Sequence, residues 1–205
     1  MTRGENRTTI AGPVGALEVA VNVPAESPRG IALVAHPHPL QGGTLDNKVA
    51  QTLAKTFVAL DYASVRFNFR GVGKSEGHFA DGIGETDDAM AALAFGRTRF
   101  PGLGDSPPVL AGFSFGSYVQ ARVAALVEPQ RVVLIGPAVS RFAADTLPAD
   151  TIVIHGEQDD VVPLADVLAW ARPKQLPIVV FPGCGHFFHG RLAQLQQAIT
   201  GQWQR

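Results

Sequence analysis

The stretch around Ser114 leaves this chain the fewest ways to fold. A short apolar run over residues 107–111 (PPVLA) passes without a spacer into Gly112-Phe113-Ser114-Phe115-Gly116, and residues 115–127, rich in alanine and valine, read as a helix. A strand that becomes a helix within so few residues needs a very tight turn, and small residues on both sides of the serine let the two backbones pass. Such a turn strains the serine and lifts its hydroxyl into the open at the C-terminal edge of a sheet. The next amide, that of Phe115, opens the helix and can stabilise an oxyanion. Ser114 is therefore the candidate nucleophile and Phe115 a candidate oxyanion donor. With 22 glycines in 205 residues, the bare string G-x-S-x-G can arise by chance; the strand before it and the helix after it give it weight. Ser117, one helical step further, is expected to be a small buried residue.

The rest of the chain alternates short apolar runs with longer amphipathic ones, which argues for strands and helices alternating around a mostly parallel sheet. Residues 8–12 and 16–23, separated by Pro13-Val14-Gly15, read as an antiparallel hairpin on one edge, with Leu17, Val19, Val21 and Val23 on one face. Strands are then expected at 30–36, 62–67, 107–111, 131–135, 151–155 and 178–181. Helices are expected at 47–60, 84–100, 115–127, 164–171 and 191–202. In the helix over 84–100, Met90, Leu93 and Ala94 are expected to face inward. Only about fourteen residues separate the strand ending near Gly136 from the one beginning near Thr151, too few for a cap, so an open site is expected. A chain of 205 residues suits one domain spanning 1–205.

A serine hydroxyl needs a base within hydrogen-bond reach, and the base needs a third group to fix its tautomer. Downstream lie an acid and then a histidine. Residues 151–155 read as a buried strand that ends in an acidic turn, Gly156-Glu157-Gln158-Asp159-Asp160, with Pro163 opening the next helix. Asp159 is favoured as the orienting acid; Asp160 competes, or else caps the turn. His186, in the loop Gly183-Cys184-Gly185-His186-Phe187-Phe188 after the last strand, is the candidate base, with His189 as fallback. His155 reads as structural. Cys184 lacks an elbow and reads as a small packed residue.

After residues 30–36 comes Pro37-His38-Pro39-Leu40-Gln41-Gly42-Gly43. The prolines lack an N–H, so the His38 amide is the nearest second oxyanion donor, with Leu40 next. His36 and His38 also form an H-x-H pair, but no third ligand is evident nearby, so no metal is expected. Residues 68–75 (NFRGVGKS) resemble a phosphate cradle, yet the spacing fails the Walker pattern and no helix follows. That loop is read as an ordered element beside the site, with Arg70 in structural hydrogen bonds. Leu40, Phe113 and Phe187 are the candidate substrate-contacting residues.

With 46% hydrophobic and 17% charged residues and a net charge of -1, the chain is globular and has no cationic excess for nucleic acid. Its single cysteine forbids an internal disulfide and fits a reducing compartment. Residues 1–10 lack an apolar h-region, and no apolar stretch approaches membrane-spanning length. A soluble cytoplasmic protein, monomer or homodimer, acting on a small-molecule ester without a cofactor, is the expectation.

Five pieces, HPHPLQGGTLDNKV, RFNFRGVGKSEG, GFSFGS, HGEQDDVVP and GCGHFF, occur in an order and spacing that resemble the α/β-hydrolase superfamily. The likeness is to small lidless bacterial members, neighbours of the dienelactone-hydrolase and prolyl-oligopeptidase-like groups. It implies a three-layer α/β/α sandwich on an eight-stranded, mostly parallel sheet with no cap domain. It also implies Ser114, Asp159 and His186 as a triad, with Phe115 and the HPHP loop as oxyanion hole. Where many relatives have His-Gly after the third strand, this chain has His36-Pro37, which leaves the second donor open between His38 and Leu40. Carboxylic ester or thioester hydrolysis is the expected chemistry. Acyl transfer, perhydrolysis or lyase chemistry on the same residues, and a catalytically silent binding module, are the rivals.

Overall fold

The structure, a computed structural model, describes residues 3–142 and 146–203. The apolar runs pair into one eight-stranded sheet of order β1-β2-β4-β3-β5-β6-β7-β8. Strands β1 (Arg3–Gly12) and β2 (Gly15–Val23) form the antiparallel hairpin, and β2 joins β4 (Tyr62–Phe67) antiparallel. The remaining strands, β3 (Gly30–Ala35), β5 (Val109–Phe113), β6 (Arg131–Ile135), β7 (Ile152–Gly156) and β8 (Ile178–Phe181), continue from β4 in parallel.

Period-two alternation divides the strand side chains between the faces. On one face Leu33, Val65, Leu110 and Leu134 pack against α2 (Ile83–Arg99) and α3 (Phe115–Ala124). On the other, Val34, Ala111, Val133 and Ile154 pack against α1 (Lys48–Ala59) and α5 (Leu192–Trp203). Helix α4 (Leu164–Ala171) closes a smaller cluster around Val153. The result is the three-layer sandwich with an N-terminal hairpin that the sequence implied. Residues 136–151 join β6 to β7, too short a connection for a separate cap; 143–145 lie outside the described residues.

Two expectations need correction. Strand β5 runs on to Phe113 rather than stopping at residue 111, because Phe113 pairs with Ile135 and the Ser114 amide donates to the Ile135 carbonyl at 2.9 Å. The ladder thus reaches the serine itself. In α2 Leu93 and Met90 do face the core, but Ala94 does not. Leu93 is buried, but Met90 is half-buried and Ala94 exposed. The buried stripe includes Glu85 and Asp88, and two carboxylates on a core face hide a helix's apolar period.

Each of those carboxylates has a task. Glu85 accepts from the amides of Ala80 and Gly82, closing the N-terminus of α2. Asp88 receives the Arg70 guanidinium through Nε and Nη2 and also the Arg70 amide, at 2.9 to 3.2 Å. The loop that follows β4 is further laced by Asn68, which accepts from the Leu45 amide and donates to Glu18. Its glycines therefore serve a hydrogen-bonded structural loop, and Arg70 is committed to α2.

The chain leaves β3 for β4 on one side and later returns to β5 on the other, so the strand order switches direction between β3 and β5. In open parallel sheets the crevice beyond the strand ends at such a point is where ligands bind. His38 follows β3 and Ser114 follows β5, so both flank it. Asp88→Ala, which strands the largely buried Arg70, is expected to lower unfolding free energy by about 3 kcal/mol. Chemical denaturation with an unchanged m-value would measure it.

Candidate active site

Ser114 has φ 55° and ψ -119°, a left-handed conformation that a side chain tolerates only when its surroundings hold it there. The holding contacts are local. Ser117 Oγ donates to the carbonyls of Gly112 and Ile135 at 2.8 and 3.2 Å, and the Ser117 amide donates to the Ser114 carbonyl at 2.9 Å. A Cβ on Gly112 would lie 2.2 Å from the Gly116 carbonyl oxygen. One on Gly116 would lie 2.5 Å from the carbonyl oxygens of Ala35 and His36. Glycine at these two places is what allows the start of α3 to rest on the ends of β3 and β5.

Asp159 is buried at the turn after β7, whereas Asp160 is exposed. Asp159 Oδ1 accepts from the amides of Val161 and Val162 at 3.0 and 2.7 Å, and Oδ2 accepts from His186 Nδ1 at 2.6 Å. Of the two competing acids, Asp159 meets the imidazole. Burial pushes its carboxyl up, but the His186 hydrogen bond, the Val162 amide and the neighbouring imidazoles outweigh this, and it falls below the usual carboxylate range. The two loops touch because Gly156 has no side chain: a Cβ there would meet the Cys184 carbonyl oxygen at 2.4 Å. They are tied by Glu157 N–H to Phe181 O at 3.0 Å and Gln158 N–H to Cys184 O at 2.9 Å.

With Nδ1 donating to Asp159, His186 keeps Nε2 for the pocket. The ring stacks on Phe113, centroids 4.9 Å apart, and meets Phe187 edge-on at 5.1 Å. Ser114 and His186 line one pocket of about 90 Å³ together with Gly42, Gly43, Asn47 and Phe187. A second pocket of about 110 Å³ also borders Ser114 and is lined by Phe115, Ala138, Arg141 and Phe142. His38, Gln41, Ser114 and Val161 wall both. Among the described residues the Ser114 hydroxyl is engaged by no hydrogen bond.

The expected substrate contacts divide. Phe187 lines the first pocket. Phe113 does not line either; it is fully buried and supports the His186 ring from below. Leu40 is 71% exposed and lines neither pocket. Pro39–Gln41 is a single 3-10 turn capped by His38, whose Nδ1 accepts from the Leu40 amide at 3.2 Å, and that turn rotates the leucine outward. The same bond spends the Leu40 amide. The His38 amide, by contrast, has no acceptor among the described residues. Gln41 and Arg141 reach the pockets without having been singled out in the sequence. Gln41 lies in the already suspect loop PLQGG, while Arg141 carries no local motif.

His36 and His155 are engaged in structural hydrogen bonds. His36 is buried, its Nδ1 donates to the Pro37 carbonyl at 2.7 Å and its Nε2 accepts from the Phe69 amide at 3.1 Å. With both nitrogens used it cannot ligate a metal, and no group of three or more metal-type side chains occurs among the described residues. His155 Nε2 donates to the Val162 carbonyl at 2.9 Å and lies 3.4 Å from Asp159 Oδ2. Cys184 is buried, and that burial pushes its thiol up, away from the reactive thiolate.

A lidless α/β fold with a strained serine and a carboxylate-bound imidazole at one sheet edge defines a class of serine hydrolase, and known proteins agree. The family model described as "Serine aminopeptidase, S33" matches residues 40–144. An α/β serine hydrolase homologue from Coxiella burnetii is 38% identical, with a TM-score of 0.84 and 94% of each chain covered. XC6422 from Xanthomonas campestris, described as an α/β serine hydrolase without lid, is 38% identical, with a TM-score of 0.90 over 98% of this chain and 94% of that one. The uncharacterized protein RP471 of Rickettsia prowazekii is 31% identical over 92% of this chain and 84% of its own length. The chain belongs to that S33 family within the α/β-hydrolase superfamily. No described helix is long and apolar enough to cross a membrane.

His36 makes the fold sensitive to acid. Burial pushes its pKa down from 6.5 to about 3, against a smaller upward pull from the Pro37 carbonyl. Above 6.5 the ring is neutral in both folded and unfolded chains, and its stabilising contribution is whole. Between 6.5 and about 3 only the unfolded chain takes the proton, so stability falls by up to about 1.4 kcal/mol per pH unit. Urea unfolding from about pH 4 to 8 should show this slope in wild type and a shallower one in His36→Gln.

Proposed function

We propose that this chain hydrolyses small carboxylic esters or thioesters through an acyl-enzyme on Ser114. The observation that carries the proposal is the buried 2.6 Å bond from His186 Nδ1 to Asp159. It aims the other ring nitrogen at the pocket that Ser114 borders. Ser114 Oγ attacks the carbonyl carbon as its proton passes to His186 Nε2. The oxyanion rests on the amides of Phe115 and His38, the latter preferred because the Leu40 amide is already held by the His38 ring. Apo geometry at such sites is often loose and tightens when substrate is bound.

As the tetrahedral intermediate collapses, the bond to the leaving oxygen or sulfur breaks and takes the proton from Nε2. Water then attacks the acyl carbon, gives a proton to Nε2, and the Ser114 ester bond breaks as that proton returns to Oγ. The products are a carboxylic acid and an alcohol or thiol, and no cofactor is consumed. Asp159 stays ionised throughout and stabilises the imidazolium. The two pockets, about 90 and 110 Å³, are small, which favours short groups on both sides of the scissile bond. The described residues form no propeller or lid to select peptides, so esters are preferred although the matching family is named for an aminopeptidase.

Ser114→Ala should lower kcat/KM for 4-nitrophenyl butyrate by at least about a thousandfold, and Asp159→Asn by a similar factor. A fluorophosphonate probe should label wild type and not Ser114→Ala. Equal turnover by wild type and Ser114→Ala would remove Ser114 as the nucleophile.

A further inference from the structure

The two pockets beside Ser114 are chemically unlike. His186 returns its proton to the leaving group, so the leaving group must occupy the pocket that His186 lines. The second pocket is not lined by His186, but it holds Ser114 and Phe115, the proposed nucleophile and oxyanion donor. That pocket is left for the acyl chain.

Its walls mix apolar side chains, Phe115, Ala138, Phe142 and Val162, with polar ones, and the exposed Arg141 is the one cationic residue among them. Among the described residues Arg141 has no carboxylate within 4.0 Å. The neighbouring Ser140 hydroxyl is committed to Asp166 Oδ2 at 2.6 Å and offers the ligand nothing in competition. The His38 ring, on the wall between the pockets, is held neutral: burial pushes its pKa down, and the Arg141 charge adds to this against weaker pulls from Glu85 and Asp81. Among the described residues that line it, the acyl pocket therefore presents one cation, Arg141, beside its apolar side chains.

We propose that Arg141 binds a carboxylate at the far end of the acyl group, so that the substrates are monoesters or monothioesters of short dicarboxylic acids. This rests on the hydrolase reading above for the direction in which the substrate lies. A planar guanidinium matches a carboxylate through two parallel N–H···O bonds, which fixes orientation as well as charge. A four-carbon acyl chain suits a pocket of about 110 Å³.

Monomethyl succinate and methyl butyrate have the same backbone and differ by a terminal carboxylate in place of a methyl. Their binding to the turnover-blocked Ser114→Ala protein, measured by NMR titration, should differ at least tenfold in favour of the succinate. The doubly substituted Ser114→Ala, Arg141→Gln protein should lose that difference. Ser114→Ala, Arg131→Gln, altered at a side chain that stacks on Trp203 away from both pockets, should keep it. Equal binding of the two esters by Ser114→Ala, or a preference that survives Arg141→Gln, would overturn the proposal. Wild-type turnover of the pair is read separately. Preference in binding without turnover leaves Arg141 in place and removes the hydrolase reading; turnover without preference does the reverse.

Discussion

The crossing of β5 and α3 under the ends of β3 is the contact on which the site depends. Atoms there are as close as a backbone without side chains permits: a Cβ at Gly112 or Gly116 would fall 2.2 to 2.5 Å from carbonyl oxygens of Gly116, Ala35 and His36. Because strand and helix cannot separate without losing the β5–β6 ladder, the residue between them has no relaxed conformation to adopt. Ser114 is held at φ 55°, a cost of order 1–3 kcal/mol, repaid by the ladder and by the Ser117 hydroxyl that bridges Gly112 and Ile135. The placing of the largely buried Ser114 hydroxyl at the pocket wall is thus a consequence of sheet packing rather than of any flexible loop. The same crossing puts the Phe115 amide at a helix start with no intrahelical partner.

The second half of the site is assembled on the same principle with different parts. Gly156 lets the His186 loop lie on the Asp159 turn, and two backbone bonds pin one to the other. A buried carboxylate is costly unless its lone pairs are met. Here two amides take Oδ1, and His186 takes Oδ2. The side chain is therefore fixed from both ends before any substrate arrives. Phe113 links the two halves: it is the residue before Ser114, and its ring supports the His186 imidazole.

What the sequence made legible, and what it did not, follows from the range of the forces involved. Strand–turn–helix at Ser114, the acid after β7 and the histidine after β8 are local patterns, set by apolar runs and turn residues within about ten positions of each other, and the fold keeps them together. The choice between Asp159 and Asp160 needed the structure, because adjacent turn residues face opposite ways and only burial tells them apart. The outward turn of Leu40 was not legible because a proline-started 3-10 turn, capped by a side chain two residues back, has no periodicity to read. Helix α2 misled because Glu85 and Asp88 occupy its inner face, so the apolar count pointed to Ala94. Arg141 was invisible because its place beside Ser114 comes from the loop after β6 meeting the loop after β3, a contact separated by about a hundred residues.

The histidines around the site share out a single charge. His36, His38 and His155 are all pushed toward the neutral form by burial. For His155 this matters most, since its Nε2 lies 3.4 Å from the same Asp159 oxygen that His186 binds. A protonated His155 would place a fixed positive charge against that carboxylate and weaken its pull on the neighbouring imidazole. Held neutral, with its Nε2–H donating to the Val162 carbonyl, it leaves the Asp159 charge to be felt by His186. The arrangement costs something: among the described residues His155 Nδ1 is buried without a partner, a penalty of about 1–3 kcal/mol. A donor at Nδ1 would satisfy the ring and hold it neutral, whereas an acceptor there would favour the protonated form, and the charge reserved for His186 would then be divided.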